Sequence, residues 1–310
     1  MPVALIQHPA SHDHVSPEGH PERVDRIRAL ERLFEEPRFA ALDRREAARA
    51  EDALLRLAHP QRHIDLVRDA TPPRGWSQMD PDTFMSPGSL EAALRAAGAG
   101  AQAVDLVMGG EAGAAFCALR PPGHHAEPER AMGFCLFSNA AIAALHALEA
   151  HGLSRVAVAD FDVHHGNGTQ AVVWEEPRVT FCSSHQMPLY PGTGAEAERG
   201  AGNVWNAPLP PGTAGAGFRR AWEERLLPAL DAARPELIVI SAGFDAHRSD
   251  PLAQLELEAE DFGWITGRLC DLAERHAGGR VVSLLEGGYS LSGLTASAAA
   301  HLEVLMERAG

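Results

Sequence analysis

Four short runs hold the side chains whose types and spacing suit metal and acid–base chemistry. The densest is Asp160-Phe161-Asp162-Val163-His164-His165-Gly166-Asn167-Gly168. Asp162 and His164 stand two residues apart, so a turning chain can aim both at one metal ion. Carboxylate oxygen and imidazole nitrogen together suit Zn2+. The same run also contains the Asp, Asn and Gly of an ordinary turn. In Arg120-Pro121-Pro122-Gly123-His124-His125-Ala126, two adjacent imidazoles could act as general base and acid, or lie on the surface of a rigid turn. In Ser241-Ala242-Gly243-Phe244-Asp245-Ala246-His247, Asp245 could add a second carboxylate ligand or cap a helix. In Glu286-Gly287-Gly288-Tyr289, paired glycines permit close backbone approach, and Tyr289 could stabilise an oxyanion or pack at a sheet edge.

These runs share a position relative to the elements that must carry them. Apolar runs at 3–6, 114–119, 155–159, 178–182, 237–240 and 280–285 read as buried strands. Helical periodicity covers 22–36, 89–108, 138–151, 221–233, 258–276 and 293–308, with two shorter helices in 51–70 broken at Pro60. The stretches 71–87, with four prolines, and 192–217 read as loops. Buried strands alternating with helices predict an α/β fold with a mostly parallel sheet. No linker or repeat divides residues 1–310, so a single domain is expected. Open parallel sheets bind ligands beyond the carboxyl ends of their strands. All four chemical runs fall in loops there, at 121–126, 160–168, 241–251 and 286–290.

Composition excludes several alternatives. The 310 residues contain no lysine, which removes Schiff-base catalysis and a Walker-type phosphate loop. A formal net charge of -15 argues against nucleic acid as partner and favours cations. Cys117, Cys135, Cys182 and Cys270 form no C-x-x-C pair, as expected of a reducing compartment. No basic leader and no apolar run of ~20 residues is present, so a cytoplasmic protein with no membrane partner is expected.

Taken together, Pro121 to Ala126, Asp160 to Gly168, Gly243-Phe244-Asp245 and Glu286 to Tyr289 resemble the signatures of the histone deacetylase superfamily. Their order along the chain matches, as does Gly19-His20-Pro21-Glu22-Arg23, and the resemblance runs over roughly residues 8 to 305. It is nearest to the class II-like bacterial branch of histone deacetylase-like amidohydrolases and acetylpolyamine amidohydrolases. The resemblance implies a single-domain arginase–deacetylase fold and one Zn2+ per chain, held by Asp162, His164 and Asp245. It makes His125 the main base and acid, His124 an electrostatic partner orienting water, and Tyr289 the oxyanion donor. Asp160 then backs His124 and Asn167 backs His125. Asn brings no negative charge, so His125 is expected to be less basic than beside Asp. His165 is expected to be structural.

The resemblance also implies a structural K+ at carbonyls around Asp160, Asp162 and His164 and at the Ser183 hydroxyl. It implies a narrow acyl-lysine channel lined by Gly133, Phe134, Tyr190, Leu252 and Gly287. Tyr at 190 is a departure from the Phe common in lysine deacetylases. Leu252, following Asp250-Pro251, stands where polyamine-specific members often carry an acidic residue. The implied substrate is therefore an acyl-lysine protein or peptide first, and an acetylated polyamine second. A binuclear manganese ureohydrolase would need more carboxylates than Gly166 and His247 supply, and the intact Tyr289 and paired histidines argue against a non-catalytic acyl-group binder. A homo-oligomer is left open.

Overall fold

The computed structural model describes residues 1–309. In chain order its strands are β1 (Val3–Gln7), β2 (Asp43–Glu46), β3 (Ser77–Asp80), β4 (Thr83–Met85), β5 (Ala114–Cys117), β6 (Val156–Asp160), β7 (Val179–Gln186), β8 (Val204–Leu209), β9 (Leu237–Ala242) and β10 (Val281–Leu285). The helices are α1 (Asp25–Phe34), α2 (Asp52–Leu55), α3 (Gln61–Asp69), α4 (Ser89–Met108), α5 (Asn139–His151), α6 (Asn167–Val173), α7 (Gly215–Ala221), α8 (Leu227–Ala233), α9 (Ala259–His276) and α10 (Leu291–Ala309).

Eight strands form one sheet in the order β2-β1-β5-β10-β9-β6-β7-β8, and every neighbouring pair is parallel. Residues alternate between faces along each strand, so a sheet covered on both sides must be apolar throughout. Val281 and Leu285 of β10, with Ile238 and Ile240 of β9, join a core closed by α1, α9 and α10. Val282 and Leu284, with Leu237 and Val239, join the opposite core, closed by α4 and α5. The four chemical loops follow β5, β10, β9 and β6, which lie side by side at the centre of the sheet.

Several elements differ from the sequence reading. The proline-rich stretch 71–87 is not all loop: β3 and β4 pair there as an antiparallel hairpin. The stretch 192–217 contains β8, an edge strand in register with β7 from Phe181↔Val204 to Gln186↔Leu209. The charged segment Asp43–Glu46 pairs with β1 as the other edge. The helix expected over 221–233 starts six residues earlier, at Gly215, and passes through a π-helical turn at Trp222–Leu226. Edge strands pack one flank only and tolerate Arg, Glu and Pro, which hides them from an apolar-run reading.

Candidate active site

The loops that follow β6 and β9 deliver their carboxylates to one point. Asp162, His164 and Asp245 are buried, and one ligand atom from each lies within 4.8 Å of the others. His164 Nδ1 is 3.1 Å from Asp162 Oδ1 and 3.1 Å from Asp245 Oδ2. Burial raises the Asp245 carboxyl, the neighbouring Asp162 adds to it, and the group reaches about 7. Burial alone would lower the His164 imidazole, but Asp162 and Asp245 override it and lift it to about 10. Two carboxylates buried around one imidazole call for a cation. The surroundings fit an ion of this kind: a Cβ at Gly287 would lie 2.0 Å from Asp245 Oδ2, so only glycine leaves the space open. The Gly287 N–H also donates to Asp162 Oδ2 at 2.8 Å, fixing that carboxylate from behind.

The loop after β5 brings both histidines beside this cluster. His124 Nδ1 lies 3.0 Å from Asp160 Oδ2, and His125 Nδ1 lies 2.8 Å from Asn167 Oδ1. Their rings are 4.0 Å apart, and His125 is 5.7 Å from the His164 ring. The different partners separate the two imidazoles. Burial would lower His124, but Asp162 and Asp160 hold it well above its ordinary value. Burial, then the His124 and His164 rings, push His125 well below. Tyr289 is buried close by, with burial raising its phenol well above the ordinary value against the pull of Arg26.

This arrangement joins a buried divalent-metal donor set to two inequivalent imidazoles and a phenol. Comparison with known proteins agrees. The model of the histone deacetylase domain matches residues 20–305. The chain belongs to the histone deacetylase family. A Pseudomonas aeruginosa protein named histone deacetylase-like amidohydrolase is 42% identical over 278 residues, spanning 88% of this chain and 73% of the relative. A probable deacetylase of Archaeoglobus fulgidus is 37% identical over 303 residues, spanning 94% and 83%. The solved HD domain of HDA15 superposes with a TM-score of 0.94 at 35% identity, covering 99% of this chain and 88% of that one.

Within this histone deacetylase fold, the β3–β4 hairpin supports Phe134. Phe134 donates its N–H to Thr83 Oγ1 at 3.0 Å, and its ring meets His20 at 4.7 Å and Tyr289 at 5.8 Å. Gly133 and Phe134 both take left-handed backbone angles, φ 57 and 68, and a Cβ at Gly133 would strike the His125 ring at 2.3 Å. Tyr190 stands 5.2 Å from the His125 ring and is 37% exposed. Leu252 donates its N–H to Asp250 Oδ1 at 3.0 Å, while Asp250 Oδ2 accepts from the Tyr289 and Ser290 amides. Leu252 is thereby fixed within the Asp250 turn. Ser183 pairs in register with Asp160, and its hydroxyl bonds His185 Nδ1 at 2.9 Å.

His165 bonds Thr193 and Gln170, and His247 bonds Ser249 within its own turn. Both are occupied structurally. A side chain at Gly166 would meet Asp160 Oδ2 at 2.2 Å, which leaves no room for the extra carboxylate of a binuclear site.

Several site residues had no role assigned from sequence. Glu286 is fully buried and accepts the N–H groups of Gly123 at 2.7 Å and His124 at 3.1 Å. It fixes the paired-histidine loop from the far end of the chain. Glu22 binds Arg120 and Arg26, and Arg26 in turn donates to the Glu286 and Gly288 carbonyls and lies 5.0 Å from the Tyr289 ring centroid. The available signal was a charged residue inside or beside an otherwise apolar run, as Glu286 is after Leu284-Leu285.

Proposed function

We propose that this protein is a zinc-dependent amidohydrolase that removes acetyl or another short acyl group from the ε-amine of acyl-lysine in a protein or peptide. The observation that carries the reading is the buried convergence of Asp162, His164 and Asp245 beside His125, whose partner is Asn167. A zinc ion held by the triad would polarise the amide carbonyl and bring the pKa of water to near neutrality. His125 takes the proton from the attacking water and returns it to the departing amine. His124, backed by Asp160, acts electrostatically and orients the water. Tyr289 donates its hydroxyl proton to the oxygen that becomes anionic as the tetrahedral carbon forms. Gly133, Phe134 and Tyr190 line the acyl-lysine stem, and Gly287 keeps the floor open. Residues 1–310 act as one catalytic domain in a cytoplasmic setting, with a structural K+ at oxygens of Asp160 to His164 and Ser183. No helix among the described residues is long and apolar enough to cross a membrane.

A second substrate reading, an acetylated polyamine, is favoured by the rim. Burial raises the Tyr190 phenol, and Asp82 and Asp80 nearby raise it further. Asp80 is paired with Arg130 at 2.7 Å, so Asp82 is the carboxylate the rim offers a cationic chain. Side-by-side kcat/KM values for acetyl-lysine peptides and acetylated polyamines decide between them.

Fluorogenic acetyl-lysine turnover should vanish on complete chelation and return with added zinc. Turnover that survives metal removal would sink the mechanism. Tyr289→Phe should lower kcat by about 100- to 1,000-fold with zinc content unchanged. Near-normal activity in that variant would take the oxyanion role from Tyr289.

A further inference from the structure

Three metal-ligating side chains converge far from the candidate active site, and none of the chemistry above uses them. Helix α4 leads into β5 and α5 leads into β6, so both bring their carboxyl ends to the edge of the sheet opposite the four chemical loops. Asp105 lies in the last turn of α4, and His146 and His151 lie in the last two turns of α5. The Nε2 atoms of His146 and His151 stand 2.8 Å and 2.7 Å from the same oxygen, Asp105 Oδ1. The two rings meet edge to face at 5.7 Å, and one ligand atom from each of the three residues lies within 4.8 Å of the others.

Two further features favour a cation there. Helix carboxyl ends carry partial negative charge, and Asp105 adds a formal negative charge where the α4 dipole disfavours one. Helix α5 stops close by at Gly152, whose left-handed φ of 66 ends the helix directly after His151. Two imidazoles and one carboxylate form the donor set of an open zinc site, with remaining positions left to solvent. The side chains are accessible, at 19% for His146, 25% for His151 and 56% for Asp105, so an ion can enter without unfolding.

We propose that Asp105, His146 and His151 form a second zinc site, a surface clamp that ties α4 to α5. A metal bound there replaces the two imidazole–carboxylate hydrogen bonds with coordination through the same three atoms. The clamp is independent of turnover, because it sits at the amino-terminal edge of the strands.

The test is zinc titration of the chelator-stripped full chain against a competing chromophoric chelator. The wild type should take up about two equivalents, and H146A/H151A and D245N about one each. Added zinc should raise the Tm of stripped D245N, and adding H146A/H151A to D245N should abolish that rise. Deacylation by zinc-loaded H146A/H151A should match the wild type. Asp105→Asn, the mildest change, should weaken the second equivalent without touching the first. One equivalent in the wild type that disappears in H146A/H151A keeps the clamp and removes zinc from the catalytic reading. Equal stoichiometry in H146A/H151A and the wild type, or one equivalent lost only in D245N, overturns the clamp.

Discussion

Replacing His125 by alanine should lower kcat by about 100- to 10,000-fold, with KM for an acetyl-lysine peptide changed far less. The direction follows from a chain of hydrogen bonds that sets the tautomer. The Asn167 Nδ2 group donates to Glu127 Oε1 at 2.8 Å, and a carboxylate can only accept. The amide is thereby oriented with Oδ1 toward His125, so His125 Nδ1 must carry the proton. Its Nε2 lone pair is then free to take a proton from water. His124 is set apart from this role by its partner, since Asp160 raises its affinity for a proton where Asn167 cannot do so for His125. The arrangement also offsets the neutrality of Asn167: the negative charge that Asp would place directly beside His125 sits one hydrogen bond further out, on Glu127. Steady-state kinetics on the zinc-loaded variant checks the effect. A loss under about tenfold would falsify the assignment of His125 as principal base.

Glu22→Gln should destabilise the fold by about 3–5 kcal/mol, read as a lower urea midpoint at neutral pH. Glu22, Arg26 and Arg120 are all fully buried, and the carboxylate binds Arg26 at 2.9 Å and Arg120 at 2.5 Å. Removing it leaves two guanidinium groups in a dry interior with their main counter-charge gone. Burial alone would raise the Glu22 carboxyl, but Arg120 and His14 override it and hold it well below the usual carboxylate range. A depressed folded-state value contributes stability that is complete above the unfolded value of about 4.3 and is lost as pH falls through the folded one. The wild type should therefore lose stability on acidification below about pH 4.3, and Glu22→Gln should show a shallower acid limb. Parallel limbs in the two proteins would show that Glu22 does not bear this charge. Because Arg26 also holds the Glu286 and Gly288 carbonyls beneath Tyr289, the variant should lose turnover along with stability.

The central sheet was legible because its strands are buried on both faces, and runs such as Leu237 to Ile240 and Val281 to Leu285 carry no polar alternation to confuse them. The loops that follow them were legible for the opposite reason, since Asp, His and Gly interrupt the apolar pattern abruptly. The edges were not. β2 reads Asp-Arg-Arg-Glu, and β8 carries Asn206 and Pro208 in a Gly- and Pro-rich stretch. The β3–β4 hairpin was hidden by its prolines, although it buttresses Phe134. The start of α6 at Asn167 was read as loop, because Gly166 and Gly168 around it look like turn residues. Side chains with direct chemistry, such as Asp162 and His125, announce themselves by type and spacing. Supports such as Glu286, Glu22 and Arg26 do not, because their partners lie far away in sequence and only the fold shows which backbone groups they reach.

That long reach has a consequence for how the site opens and closes. The Gly123 amide is held by Glu286 across 163 residues, and the Gly287 amide by Asp162 across 125. Neither bond can be released by fraying a terminus, since each ties together two buried loops anchored on the central strands. In heavy water these two amide protons should be among the slowest to exchange, fading only when the whole sheet comes apart. The catalytic geometry and the global fold then share one opening event, and no severed fragment lacking either end of these bonds would retain it.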